Sequence, residues 1–449
     1  MPQERALEET LRGILARREA KSQLRRLTTV PLNCVDFSSN AYLSLSTRAD
    51  VQREYLQRLQ SEIGSSTVQE RADGANAILG SGGSRLLDGN SAFAEALEHE
   101  VAQFHGAKAG LLFNSGFDAN VGLFSCVPQP GDVIVYDELI HASVHDGMRM
   151  SRASRRIPFA HNSVEAQTRD PDTPQTNPSL STVLATLLQE SEDVQSGGKN
   201  VFIAVEGIYS MDGDVSPLGE IVECVDALLP NGNGYIIVDE AHSTGVIGDR
   251  GQGLVSALGL ESKVWARLHT FGKAMSCAGA ILLCSSTTRE YLINYARSLI
   301  YTTALPFTTL ASIQTTYSYL MSGKSAPLLE HLWTLVNRTH VLLLSLCERR
   351  QPNSKVLYVN PTKPQSPILP VFTSQPRSLA QYCQARGYMI RPIVAPTVPI
   401  GKERVRICLH AGNTLDQIEG LVGAIEAWVI DHQNGGTDGN EARQIKPHI

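Results

Sequence analysis

YIIVDEAHSTGVIGDRGQG, residues 235–253, opens with an unbroken apolar run that ends on Asp239, places His242 three residues on, and then breaks into glycine-punctuated turns. An apolar run without alternation reads as a strand buried on both faces. The same pattern recurs outward from it at AGLLF (109–113), VIVYD (133–137), VFIAVEGIY (201–209) and GAILLCS (279–285), with room for a helix between successive runs. Strands of this kind alternating with helical segments predict an α/β protein with a mostly parallel sheet covered on both faces. SAFAEALEHEVAQFHG (91–106) supplies one such helix, with Phe93, Leu97, Val101 and Phe104 on one face behind a serine cap.

The flanks read differently. Residues 5–26 set Leu7, Leu11, Ile14 and Leu15 among many charges, which predicts one amphipathic helix lying on the body. The polar stretches 61–78 and 163–199 break the pattern and read as surface excursions, the second around one short helix. Past residue 310 a long helical region is followed by ILPVF, YMIRPIVAPTVP and RVRICLH, the strands of a smaller domain. The expected organisation is an N-terminal helix and arm (1–60), a large α/β domain (61–310), a small C-terminal α+β domain (311–431) and a polar, disordered tail (432–449).

Bulk properties narrow the function. In 449 residues, 39 basic and 45 acidic side chains leave a net charge of −6, with no basic surplus to draw in nucleic acid or an anionic membrane. A small-molecule enzyme fits best. The eight cysteines are scattered without a Cys-x-x-Cys pair, so neither a metal site nor a disulfide framework is expected, and a reducing compartment is. No run approaches the roughly 20 apolar residues of a membrane span. The first 26 residues lack the apolar core of a secretory signal. The cytosol is the expected location, with the peroxisome as the alternative.

The chemistry concentrates at strand ends. Thr270-Phe271-Gly272-Lys273 follows a strand and precedes a run of small residues, a setting in which desolvation lowers an amine's pKa and suits it to a Schiff base. Alone, the motif reads as an ordinary strand-end lysine. It gains meaning from Asp239, thirty-four residues earlier, since a carboxylate at a buried strand end can hold the pyridine nitrogen of pyridoxal phosphate protonated. His242 and Ser210 are candidates for the cofactor's ring oxygen, and His141 for stacking on its face. Asn114-Ser115-Gly116-Phe117 sits between a strand and a helix, so the amides of Gly116 and Phe117 suit a phosphate, with the Thr270 hydroxyl beside them. The glycine-rich GSGGSRLLDGN (80–90) lacks both the Gly-Lys-Ser/Thr of a nucleotide loop and the GxGxxG spacing, so nucleotide binding is rejected.

Taken in order, DFSSNAYLSLS (36–46), GSGGSRLLDGNS (80–91), LLFNSGFDAN (111–120), HAS (141–143), EGIYSMDGDVSPL (206–218), VDEAHSTGVIGDRGQG (238–253), TFGKAMSCAGA (270–280), LIYTTALP (299–306) and RPIVAPTVPIGKERVRICL (391–409) resemble the alpha-oxoamine synthases. That family belongs to the fold-type I pyridoxal-phosphate transferases. The resemblance implies a homodimer that binds pyridoxal 5'-phosphate and small-molecule substrates, an amino acid and an acyl-CoA. It makes Lys273 the Schiff-base lysine, Asp239 the pyridine partner and His141 the stacking residue. Ser210 and His242 go near the ring oxygen, and Gly116, Phe117 and Thr270 to the phosphate. Thr302 becomes a contact from the second subunit, Arg391 the amino-acid carboxylate ligand, and Arg25 (or Arg26) the group that meets the acyl carboxylate. Gly-Ser-Gly-Gly-Ser-Arg and Thr-Phe-Gly-Lys look like the amino-oxononanoate branch, which implies decarboxylative condensation of L-alanine with pimeloyl-CoA. Ala41, where the family has Asp, Ser44, where it has Gly, and Ser276-Cys277 keep open the alternative of a polyketide or fatty acyl thioester with glycine, serine or aminomalonate, or an aminotransferase.

Overall fold

The computed structural model describes residues 6–21, 23–31, 33–65, 78–165 and 177–434. The first strand, β1 (Val35–Asp36), belongs to the small C-terminal layer, as shown below. The large sheet is built from β2 (Ala109–Phe113), β3 (Val133–Asp137), β4 (Arg155–Phe159), β5 (Val201–Glu206), β6 (Gly234–Asp239), β7 (Ala266–Thr270) and β8 (Ala280–Cys284), in the spatial order β2-β8-β7-β6-β5-β3-β4. Only β8 runs antiparallel to its neighbours, so the C-terminal ends of the other strands share one edge. Val201–Glu206 is buried at all six positions, as its unbroken apolar run predicts.

Two expectations need correction here. The stretch read as a surface insertion contains the helix Leu180–Glu190, whose Leu180, Val183, Leu184 and Leu187 are buried in the same core as Val133, Val201 and Val238. This is the crossover helix between β4 and β5, and its spacing of 0, 3, 4 and 7 is the helical signature that the polar flanks obscure. Residues 166–176 of that stretch lie outside the described residues, as do 66–77 of the other excursion. The N-terminal helix forms at Ala6–Ala20, but none of its residues is buried, so its apolar face does not rest on its own chain. Leu7 is 64% exposed and Leu15 52%. The edge strand β4, RRIPF, is new relative to the sequence reading; Pro158 and two arginines weaken its apolar signal, and an edge position tolerates the proline.

The small layer joins the segment around β1 to the elements that follow residue 357. Its sheet runs β12 (Arg391–Ile393), β13 (Arg404–Cys408), β10 (Ile368–Phe372) and β9 (Tyr358–Val359), while β1 pairs in parallel with β11 (Tyr388–Met389). Phe37, Tyr42, Leu43 and Leu45 are fully buried in one core with Ile407, Leu421 and Trp428. The segment 36–45 is thereby pinned where it overlooks the large sheet's C-terminal edge. The last helix continues through Asn434, three residues into the expected tail; 435–449 lie outside the described residues. Among the described residues no helix is long and apolar enough to cross a membrane.

Candidate active site

At the shared edge, β5 ends on Glu206, β6 on Asp239 and β7 on Thr270, and the turns after β2 and β3 carry Gly116 and His141. Ligands of open α/β sheets bind at such carboxyl edges, because loops there converge without interrupting a ladder. A pocket of about 420 Å³ opens at this point, lined among others by Gly116, Phe117, His141, Asp239, His242, Thr270 and Lys273.

Asp239 is held on both oxygens. Oδ1 accepts from the Ala241 amide at 3.0 Å and Oδ2 from Asn120 Nδ2 at 2.8 Å. The two bonds fix the carboxylate's orientation. Lys273 follows β7 in a loop tied by Cys277 N to Phe271 O (2.8 Å) and Phe271 N to Gly279 O (2.9 Å). Burial lowers the Lys273 pKa and Arg406 adds to that, while Asp239 and Glu206 oppose it. A lysine so placed yields a neutral amine more readily than a surface lysine does. Glu206 is buried beside Asp239, and burial together with the Asp239 charge drives its pKa well above the carboxylate range.

The phosphate end is equally specific. Ser115 caps the helix Gly116–Cys126 by accepting from Asp118 N at 3.1 Å, and the helix's first amides, at Gly116 and Phe117, have no intrahelical acceptor. A Cβ on Gly116 would stand 2.4 Å from Thr270 Cγ2, so only glycine lets the helix start approach the Thr270 hydroxyl. That hydroxyl is buried without a partner. An orphaned buried donor beside free helix-start amides matches a phosphate, and a lysine, a locked carboxylate and a half-open histidine nearby match the ring of pyridoxal phosphate.

Other sequence-derived residues fall elsewhere. Ser210 lines a second cavity, of about 870 Å³, rather than the Lys273 pocket. Its carbonyl accepts from Arg406 Nη1 at 2.9 Å. Thr302 Oγ1 accepts from Asn114 of the same chain at 3.2 Å, at the edge of the phosphate turn. Arg391 reaches Thr28 Oγ1 at 3.3 Å and does not line the pocket, and Arg25 is exposed on the segment after the first helix.

Several residues at the site were not singled out from sequence. Arg406, the register partner of Arg391, reaches Ser210 O and, at 3.3 Å, Asn40 Oδ1 on the pocket wall, and its Nε is buried without a partner. Tyr42 OH lies 2.8 Å from His242 Nδ1. Asn120 and Ser143 connect Asp239 to His141. Arginine at alternate positions 404 and 406 of a buried strand was a readable signal for Arg406, since neither charge belongs on a core face without a task. Asn120 carried none, because a polar residue inside a helix signals nothing until its neighbour is known.

Comparison with known proteins agrees with this geometry. The model of the family "Aminotransferase class I and II" matches residues 33–425. An 8-amino-7-oxononanoate synthase of Emericella nidulans is 51% identical over 425 residues, covering 95% of this chain and 96% of that protein. The aminoacyl transferase sphA of Aspergillus fumigatus is 36% identical, covering 91% of this chain and 84% of that protein. Among solved structures, a serine palmitoyltransferase of Sphingomonas wittichii superposes with a TM-score of 0.76 at 25% identity, covering 96% of this chain and 99% of that one.

Proposed function

The chain belongs to the class I and II aminotransferase family and, within it, to the alpha-oxoamine synthases, and from that premise we propose that it condenses L-alanine with pimeloyl-CoA. The products are an alpha-amino ketone, 8-amino-7-oxononanoate, free CoA and carbon dioxide. The observation that carries this substrate pair is the 51% identity, across 95% of the chain, to a protein named for that product. The cofactor is pyridoxal 5'-phosphate, which when bound supplies an electron sink for the carbanion that attacks the thioester.

The chain's own residues do the rest. Gly116, Phe117 and Thr270 would hold the phosphate, His141 would face the ring, and Asp239 would pair with the ring nitrogen, all of them lining one pocket. Lys273 Nζ would carry the cofactor and is the group placed to accept the alpha proton; burial lowers its pKa, which favours the neutral amine that a base needs. His242, oriented by Tyr42, serves the ring oxygen. The amino-acid carboxylate is held from the small sheet, where Arg391 and Arg406 are register partners and Arg406 is the one at the pocket wall. The 870 Å³ cavity, walled by Leu139, Ile140, Met211, Phe372, Val398 and Ile400, has the apolar lining and size to take an acyl chain. It adjoins the Lys273 pocket through Ile140 and His141, consecutive residues that line one each.

A homodimer is part of the same reading. The exposed apolar face of the Ala6–Ala20 helix, and Thr302 at the rim of the phosphate turn, are what a second copy would cover and use. Cysteines without disulfide partners suit the cytosol. The 36% identity to the aminoacyl transferase sphA supports a second reading, the same condensation on another acyl chain and amino acid. Purified protein loaded with cofactor should release thiol from pimeloyl-CoA with L-alanine and give the amino-oxononanoate mass. Release only from longer acyl thioesters or with serine or glycine would overturn the substrate pair and leave the condensation standing.

A further inference from the structure

Asn120 lies on the helix behind the phosphate turn, and its Nδ2 donates both hydrogens: one to Asp239 Oδ2 at 2.8 Å, the other to Ser143 Oγ at 2.9 Å. The opposite rotamer would set the amide oxygen against a carboxylate, so the direction of these bonds is not free. Ser143 Oγ, having accepted from Asn120, turns its own hydrogen to His141 Nδ1 at 2.7 Å. The Ser143 backbone amide, which can only donate, also points at that nitrogen, at 3.2 Å, as the N-cap bond of the helix Ala142–Met150. With two donors directed at it, Nδ1 has no room for a proton of its own.

We propose that Asn120 and Ser143 form a one-way relay that holds Asp239 as a charged acceptor and His141 as a neutral ring with its single proton on Nε2. Both are positioning residues, since each acts through a neighbour. The relay answers an electrostatic problem of the site. Asp239 and His141 are close enough to influence one another, and a direct proton transfer would leave a neutral acid under the pyridine nitrogen and an imidazolium against a pyridinium ring. An amide between them carries no proton to transfer. It keeps the carboxylate charged and the stacking ring neutral at once.

The charged surroundings are compatible with a neutral ring. His141 faces Asp239 from β6, His242 from the turn after β6, Lys273 from the loop after β7, Glu206 from β5, whose carboxyl accepts from the His141 amide, and His145 one turn along its own helix. Burial lowers the His141 pKa; Asp239 opposes the shift and Lys273 reinforces it.

The test begins with the full-length protein without cofactor, labelled with ¹⁵N-histidine, the His141 signals being assigned by their loss in His141→Gln. The wild type should show an unprotonated Nδ1 and a protonated Nε2 across neutral pH. In Asn120→Asp the new carboxyl draws the Ser143 hydrogen away and shares a proton with Asp239, so the His141 titration should move up by about one pH unit. The pH dependence of the bound cofactor's visible absorbance should shift with it. Ser143→Thr should retain the wild-type tautomer, and Ser143→Ala, left with only the backbone amide on Nδ1, should show a mixture of the two tautomers. A wild-type proton on Nδ1, or an Asn120→Asp variant with unchanged His141 signals and unchanged cofactor titration, would overturn the relay. The inference draws its catalytic meaning from the proposed function, but the tautomer is read without cofactor or substrate. A chain that released no thiol from any substrate pair would still answer it.

Discussion

The two cavities at the sheet edge adjoin, yet their walls are built by opposite rules. Around Lys273 the working groups sit on the last residues of adjacent strands or on the helix starts just beyond, and each is tied by directed bonds: Asp239 by two donors, His141 by Ser143, His242 by Tyr42. The larger cavity is walled on one side by the connection between β12 and β13, where Ile400 is 88% exposed and Lys402 is also exposed. Arg404, the first residue of β13, is tied back to Asp212. Chemistry that must hold its geometry is placed where a ladder determines the backbone, and selection among acyl chains falls to a loop that can vary without breaking one.

That contrast can be broken by substitution. Lys273→Ala removes both the cofactor's attachment and the base; thiol release should fall by roughly a hundredfold to ten-thousandfold and the bound cofactor's visible band should vanish. A variant that kept both would end the assignment. Gly116→Ala sets a methyl 2.4 Å from Thr270 Cγ2, overpacking that costs about 1–3 kcal/mol. Cofactor affinity, followed by fluorescence titration, should drop by about ten- to a hundredfold while the circular dichroism of the fold is preserved. Met211→Trp, on the loop-built wall, should instead leave the visible band alone and change thiol release several-fold, against longer acyl thioesters more than shorter ones. If it altered cofactor binding as much as Gly116→Ala does, the division between the two walls would be wrong.

The smallest effect concerns the support behind the larger cavity, where His161 packs edge-on against Tyr209. His161 bonds Asp137, at the end of β3, through Nδ1 at 2.9 Å, and Asp214, in the loop that follows Met211, through Nε2. Despite burial, these two carboxylates raise its pKa to about 10. The folded-state pKa therefore lies above the unfolded value of about 6.5, so the stabilisation is full below that value and is lost as pH rises through about 10. Melting temperature should decline over this window in the wild type, and His161→Gln, less stable at neutral pH, should show a flatter profile.

Much of the site was readable because strand ends announce themselves. An apolar run that stops on Asp239, or on Thr270 just before Lys273, leaves a functional group at a buried edge, and unbroken apolar character already tells that the strand is covered on both faces. Arg391 and Ser210 depend on what a strand pattern does not record. Each lies near the site in sequence pattern, but side-chain direction across β12 and β13 places Arg406 at the pocket wall instead, and Ser210 in the neighbouring cavity. The crossover helix Leu180–Glu190 was misread because its polar flanks outweighed four apolar residues that only contact with the sheet makes significant.

Local chemistry decided the strands, the glycine at position 116 and the identity of the lysine and carboxylate, since each depends on residues adjacent in the chain or on a period of burial. The bonds from Asn120 to Ser143 and to Asp239, the Tyr42–His242 pair and the joining of β1 to the C-terminal layer were decided only on folding. Their partners lie 23, 119 and 200 residues apart, or join β1 to β11, and hydrogen bonds over such separations have no periodicity by which a sequence could record them.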